Sequence, residues 1–218
     1  MKNYNNNLLI QIDFDNTISF GHISEKLHQH FQTPQWTVIL NNYKSNIISV
    51  EESNILSFKN CLVPYEQIKN YIESNIEFRE GIEDFINDLK NITKLKIVSS
   101  GVDFWLSIAL NKLQINLNKI EIICGKSTFT RSGINVQYFD STGENIKKNF
   151  KFHYTKKFKE QGYKIIYIGD SETDLKSALI SDYVFATDEL QKILELEQIS
   201  FFPFHDFKSV NNKIQELL

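Results

Sequence analysis

Strand-length apolar runs alternate with helix-length segments along these 218 residues. That alternation predicts an α/β protein, a three-layer sandwich around a central parallel sheet. The runs at 8–12, 95–98, 120–124, 165–168 and 183–186 are nearly continuously apolar, as strands covered by helices on both faces must be. Two interruptions complete the prediction: a long strandless segment directly after the first run, and a pair of alternating runs around a Ser-Gly turn.

The first strand is Leu8-Leu9-Ile10-Gln11-Ile12. Residues 19–78 then read as several helices, with breaks at Pro34 and Pro64, and form a helical cap inserted after that strand. The chain accordingly divides into a core of 1–18 and 79–218 and a cap of 19–78. Beyond the cap, helical periodicity covers 81–89, 103–113, 142–161, 173–181, 188–197 and 207–217. Residues 127–131 and 134–138 alternate around Ser132-Gly133 and predict a small β-hairpin. The sum is a Rossmann-like sandwich whose cap hangs over the C-terminal edge of the sheet, where α/β proteins bind ligands.

Composition narrows the function. A hydrophobic content of 41% supports one core with a smaller satellite. The net charge of −3 comes from 27 acidic and 24 basic residues that are well interleaved, so no nucleic-acid-binding face is expected. Cys61 and Cys124 stand far apart without a C-x-x-C or a histidine cluster, which predicts reduced, packed thiols and no zinc site. The few apolar residues near the N-terminus make neither a secretory signal nor a membrane span. A cytoplasmic protein without membrane partners, monomeric or homodimeric, is expected.

Three strand ends carry chemistry. Asp13 and Asp15 follow the first strand two residues apart, so one carboxylate could attack phosphorus while the other handles protons. Ser99-Ser100-Gly101 follows the second run just before a helix, where hydroxyls and free N–H groups can hold phosphate oxygens. Gly169-Asp170-Ser171-Glu172-Thr173-Asp174 closes the fourth run. Asp170 and Asp174, gathered with Asp13 and Asp15, would repel one another unless a divalent cation shared them. Hard oxygen ligands with open water positions suit Mg²⁺. A cation opposite the metal must come from Lys147, Lys148, Lys151, Lys156 or Lys157, on the helix before the fourth strand.

In this order, these motifs resemble the haloacid dehalogenase superfamily, and the inserted helical cap is similar to its phosphoserine phosphatase-like branch. Closer similarity to one phosphatase group within that branch lies in Pro34-Gln35-Trp36, Phe78-Arg79-Glu80-Gly81-Ile82, Ser100-Gly101-Val102-Asp103-Phe104, the hairpin and the Gly169–Asp174 motif. The resemblance implies hydrolysis of a small phosphorylated metabolite. Asp13 would be the nucleophile and Asp15 the general acid and base. Mg²⁺ would be held by Asp13, the Asp15 carbonyl and Asp170, with Asp174 orienting water and pairing with the lysine. Ser99 and the next amide would bind phosphate, with Ser100 and Gly101 beside them. Spacing to Asp170 in the family selects Lys151, with Lys148 as runner-up.

Two departures stand out. The family places Gly where this chain has Asn16, and phosphoserine phosphatases grip substrate with a cap Glu and Arg. Here His22 stands at the early cap position, and the cap has no Arg, since Arg79 and Arg131 are the only two in the chain. Phosphoserine is therefore disfavoured, though a phosphoserine or phospho-amino-alcohol phosphatase stays open. So does a non-catalytic phospho-accepting receiver or binding module. His22, Trp36 and Phe20 are candidates for shaping substrate choice, His28 and His30 are expected to be exposed, Arg79 to serve as a hinge or salt-bridge residue, and Trp105 to pack.

Overall fold

The computed structural model describes residues 7–33, 35–113 and 115–217, so the Pro34 break lies outside the described residues. In chain order the elements are β1 Leu8–Ile12, α1 Ile23–Phe31, α2 Trp36–Lys44, α3 Val50–Lys59, α4 Tyr65–Asn75, α5 Ile82–Leu89, β2 Lys94–Val102 and α6 Asp103–Lys112. They continue as β3 Ile120–Thr130, β4 Gly133–Phe139, β5 Asn145–Ile146, α7 Phe150–Glu160, β6 Lys164–Gly169, α8 Leu175–Leu179, β7 Tyr183–Ala186, α9 Asp188–Leu196, β8 Phe202–Pro203 and α10 Phe207–Leu217.

The eight strands form one sheet in the order β5-β4-β3-β2-β1-β6-β7-β8. From β3 to β8 the neighbours are parallel, and β4 and β5 add an antiparallel edge. Every residue of β1 is buried, so both faces of the sheet are covered there. Connections run outward from β1 to β2 and β3 on one side, and from β6 to β7 and β8 on the other. The topological switch point therefore falls between β1 and β6, where Ile12 pairs with Ile168.

Most predicted elements are present, and the differences have local causes. The predicted helix 142–161 begins only at Phe150. Asp140 Oδ1 accepts from the Thr142 N–H, the Thr142 hydroxyl and the Glu144 N–H, which commits the chain to a turn before β5. Lys147 and Lys148 precede α7 and are exposed. Ser99-Ser100-Gly101 lies within the irregular end of β2, where the register to β3 shifts, and not in a helix start. The predicted helix 173–181 is a 3-10 turn followed by a five-residue α8. Two-residue strands β5 and β8 are too short to show periodicity.

Among the described residues, four helices occupy the segment between β1 and α5. An antiparallel bridge between Ser19 and Phe78 brings its two ends together. The Ser49-Val50-Glu51-Glu52 sequence starts α3 with a reciprocal capping box. Helix α3 is fastened to β4: Gly133, at φ 143°, lies so close to the end of α3 that a Cβ would stand 1.9 Å from the Lys59 carbonyl oxygen. Among the described residues, no helix is long and apolar enough to cross a membrane.

Candidate active site

Asp13 and Asp170 stand side by side because their strands do. The Asp13 N–H donates to the Ile168 carbonyl at 2.9 Å, continuing the β1–β6 ladder past the strand end. Asp13, Asp170 and Asp174 each bring a carboxylate oxygen within 4.8 Å of the others, and all three are buried. Lys151, from the first turn of α7, enters this group and is itself buried. Its Nζ lies 2.9 Å from Asp13 Oδ1 and 2.7 Å from Asp174 Oδ1, and it donates to the Thr173 hydroxyl at 3.1 Å.

The three acids are not equivalent. Asp174 Oδ1 accepts from Lys151 and from the Tyr167 hydroxyl at 2.5 Å, and its Oδ2 accepts from the Asp170 and Ser171 N–H groups and the Ser171 hydroxyl. Five donors fill the roughly four lone-pair sites of a carboxylate. Asp174 is thus committed to protein donors. Burial raises its pKa, but Lys151 and these bonds outweigh that, and the net shift is downward. Asp170 accepts one bond on each oxygen, from Thr17 Oγ1 and Asn16 Nδ2, both at 3.0 Å. Burial and then Asp174 push it up to about 7. Asp13 is pushed well up by burial despite Lys151. Burial lowers Lys151, yet Asp13 and Asp174 overcome it and hold the ammonium charged.

Three buried carboxylates against one ammonium leave a deficit of positive charge. The deficit falls on Asp13 and Asp170, whose oxygens retain free lone pairs, while Asp174 is saturated. That donor set, hard oxygens with unspent acceptor capacity, fits a divalent cation of the magnesium type.

Asp13 and Lys151, with Ser171 and Thr173 beside them, form the floor of a cleft of about 670 Å³, including its open mouth. The cleft also takes in Asp15, Ser99, Ser100 and Gly101 from the sheet edge, and His22, Trp36 and Tyr43 from the insertion. Asp15 Oδ1 accepts from the Ile23 N–H at the start of α1, at 2.9 Å; burial raises its pKa against that bond. Ser99 Oγ accepts from the Gly101 N–H at 2.9 Å, so that amide is already used. Above Gly101, Asp15 Oδ2 and Trp105 Nε1 close in: a Cβ there would stand 3.0 and 2.9 Å from them. Trp105 is fully buried and packs against Phe58 and Phe104, as expected, while its indole N–H has no full hydrogen-bond partner.

Outside the cleft, the expectations for Phe20 and His28 change, while Arg79 and the two cysteines are as expected. Phe20 does not line it; its ring covers Arg79, 4.9 Å from the guanidinium carbon. Arg79 is buried and donates to the carbonyls of Asn16, Thr17 and His205, besides pairing with Asp188 at 3.5 Å. His28 is buried, not exposed: Phe58 and Trp36 pack against its ring, Thr33 meets Nδ1, and burial lowers its pKa to about 4. Cys61 and Cys124 are both free and buried.

Sequence reasoning missed two insertion residues that reach the floor. Glu51 Oε1 accepts from the Phe150 N–H, the residue before Lys151, at 2.9 Å. Asn54 Nδ2 donates to the Ser100 carbonyl and to the Tyr138 hydroxyl, both at 2.9 Å. Glu51 falls inside a recognisable capping-box sequence, but nothing local marks either partner.

Fold and sheet-edge residues together resemble those of haloacid dehalogenase-type phosphatases. No family model matches the chain. It is 28% identical over 216 residues to the 2-hydroxy-3-keto-5-methylthiopentenyl-1-phosphate phosphatase of Bacillus velezensis, covering 96% of this chain and 90% of the relative. The protein of the same name from Bacillus cereus strain 03BB102 is 29% identical over 213 residues, covering 94% and 95%. Among solved structures, a phosphoserine phosphatase holding a phospho-aspartyl intermediate analogue superposes with a TM-score of 0.69 at 19% identity, covering 96% of this chain and 99% of that one.

Proposed function

We propose that this chain is a Mg²⁺-dependent phosphomonoesterase that transfers the phosphoryl group of a small metabolite to Asp13 and then to water. The observation that carries it is the placement of Asp13 at the sheet's switch point, 2.9 Å from Lys151, on the floor of the cleft. Asp13 and Asp170, with the Asp15 carbonyl, would hold the cation. When bound, it supplies positive charge that offsets repulsion between the anionic nucleophile and the phosphate.

An Asp13 oxygen attacks phosphorus in line, the P–O bond to the leaving group breaks, and Asp15 gives that alkoxide its proton. Asp15, now ionised, takes a proton from water, whose oxygen attacks the acyl phosphate and returns Asp13 as a carboxylate with inorganic phosphate released. Lys151 keeps Asp13 oriented, and Ser99 holds a nonbridging oxygen. Asp174 holds Lys151.

The substrate reading follows the cleft's upper wall. Trp36, Leu40, Tyr43 and Val50 give it apolar surface beside the polar Ser24, Glu25, Ser53 and Asn54, and among the described residues that line the cleft Lys151 is the one Lys or Arg. A free carboxylate on the substrate, as in phosphoserine, would find no Lys or Arg on that wall and would meet Glu25 instead. The relatives' named substrate instead ends in a neutral methylthio group, and we take that compound, or one of similar chemistry, as the substrate.

A phosphate-release assay with Mg²⁺ over that compound, phosphoserine and phosphoethanolamine tests this. Turnover of the first far above the other two is expected. Release from none of them, with a long-lived phosphoryl group on Asp13, would replace the enzyme by a phospho-accepting receiver.

A further inference from the structure

We propose that Asn16 is a positioning residue for Asp170 that sets the affinity of the cation site, an inference that rests on the metal-dependent reading above. The residue stands where the superfamily resemblance places glycine, and it adopts the glycine-like conformation, φ 59°. Asparagine is one of the few side-chain-bearing residues that enter this region routinely. Here the side chain is used at both ends. Oδ1 accepts from the Gly21 N–H at 3.0 Å, while Nδ2 donates to Asp170 Oδ2 at 3.0 Å and to Asp188 Oδ2 at 3.2 Å. Because one end meets an N–H and the other two carboxylates, the amide has a single satisfactory orientation.

The backbone is held as firmly. Arg79 Nη2 donates to the Asn16 carbonyl at 2.8 Å and Nε to the Thr17 carbonyl at 3.0 Å. Thr17 and Asn16 then each present one donor to Asp170. Two neutral donors on opposite oxygens fix the plane of the carboxylate and leave each oxygen a lone pair for the cation. Neither cancels its charge. Both donors belong to the loop that begins with Asp13 and Asp15, so the same few residues set the spacing of the whole donor set. Partners of ligating carboxylates commonly change metal affinity about 10–100-fold when removed.

Asn16→Gly is a clean probe, because glycine takes φ 59° without strain and only the side chain is lost. Mn²⁺ binding to the metal-free protein, followed by electron paramagnetic resonance with Mg²⁺ as competitor and no substrate present, reads the site directly. We expect Asn16→Gly to weaken Mn²⁺ binding about 10-fold, with an unchanged circular dichroism spectrum. Asp188→Ala, whose side chain is 53% exposed, should stay within about 2-fold of the wild type, because the contact to Asp170 remains. Equal affinity in Asn16→Gly and wild type would overturn the proposal, as would an equal loss in Asp188→Ala. A wild type that binds no Mn²⁺ would overturn the metal reading itself and this inference with it.

Discussion

The sheet edge and the helical insertion face each other across the cleft, and they are built from opposite materials. At the sheet edge, Asp13, Lys151, Asp170 and Asp174 are buried ionisable groups whose positions are fixed by bonds to one another and to the backbone. Across the cleft, His22, Trp36, Tyr43 and Val50 bring rings and apolar carbon. Charge placed in a low-dielectric floor does chemistry but is expensive to move; apolar side chains on a surface helix select by shape and can change at little cost to the core. On the proposed function, the difference teaches that rate and substrate choice would be separable by location.

Variants can break or sharpen that division. Asp13→Asn is near-isosteric and should leave the fold intact while phosphate release falls roughly 10⁴–10⁶-fold, the scale of losing a covalent nucleophile. Near-wild-type turnover would remove Asp13 from that role. Asp15→Asn should cost about 10²–10⁴-fold in kcat with little change in KM, measured at saturating Mg²⁺.

Stability against pH separates the two regions by sign. His28 titrates near 6.5 when unfolded and about 4 when folded, so below pH 6.5 the unfolded chain binds the extra proton. Its contribution is intact above 6.5 and is lost as pH falls toward 4, by about 3 kcal/mol at 1.36 kcal/mol per pKa unit. Asp170 runs the other way. Its folded value of about 7 lies above the ordinary 3.8, so without metal the folded chain holds the extra proton, and stability falls as pH rises from about 4 to 7. Thermal melts of the metal-free protein should show His28→Gln flattening the acid-side loss and Asp170→Asn flattening the loss toward neutral pH. Identical slopes in both variants would erase the contrast.

The smallest effect belongs to the apolar wall. Trp36→Ala removes one large apolar contact and should raise KM about 5–10-fold with kcat nearly unchanged, in keeping with about 1 kcal/mol of lost burial. A matching loss in kcat would place Trp36 with the sheet edge instead.

Much of the sheet edge was legible in the chain because it depends on local order. An apolar run followed by an acid predicts a strand end, and β1 and β7 fall where periodicity puts them. The turn at Asp140 was not legible, because a side chain capturing nearby N–H groups competes with helix periodicity without altering it. His28 reads as a surface residue from its flanking polar residues, yet Trp36 and Phe58 cover it. Glu51, Asn54 and Asn16 are further cases. Each meets a partner between 46 and 154 residues away, a distance over which neither spacing nor propensity carries information. Trp105 could be placed on its helix, but its unmet N–H beside Asp15 could not.

The way α3 is seated limits how ligands travel. Swinging all four helices outward together would strip Asn54 from Ser100 and Tyr138, leave Glu51 without the Phe150 amide, and pull Lys59 off Gly133. At about 0.5–1.5 kcal/mol net for each hydrogen bond exchanged for water, such a motion is disfavoured. Helix α2 is held less firmly, with Ile39 as its one buried residue among those described. Any opening of the cleft would therefore cost less at α2 than at α3.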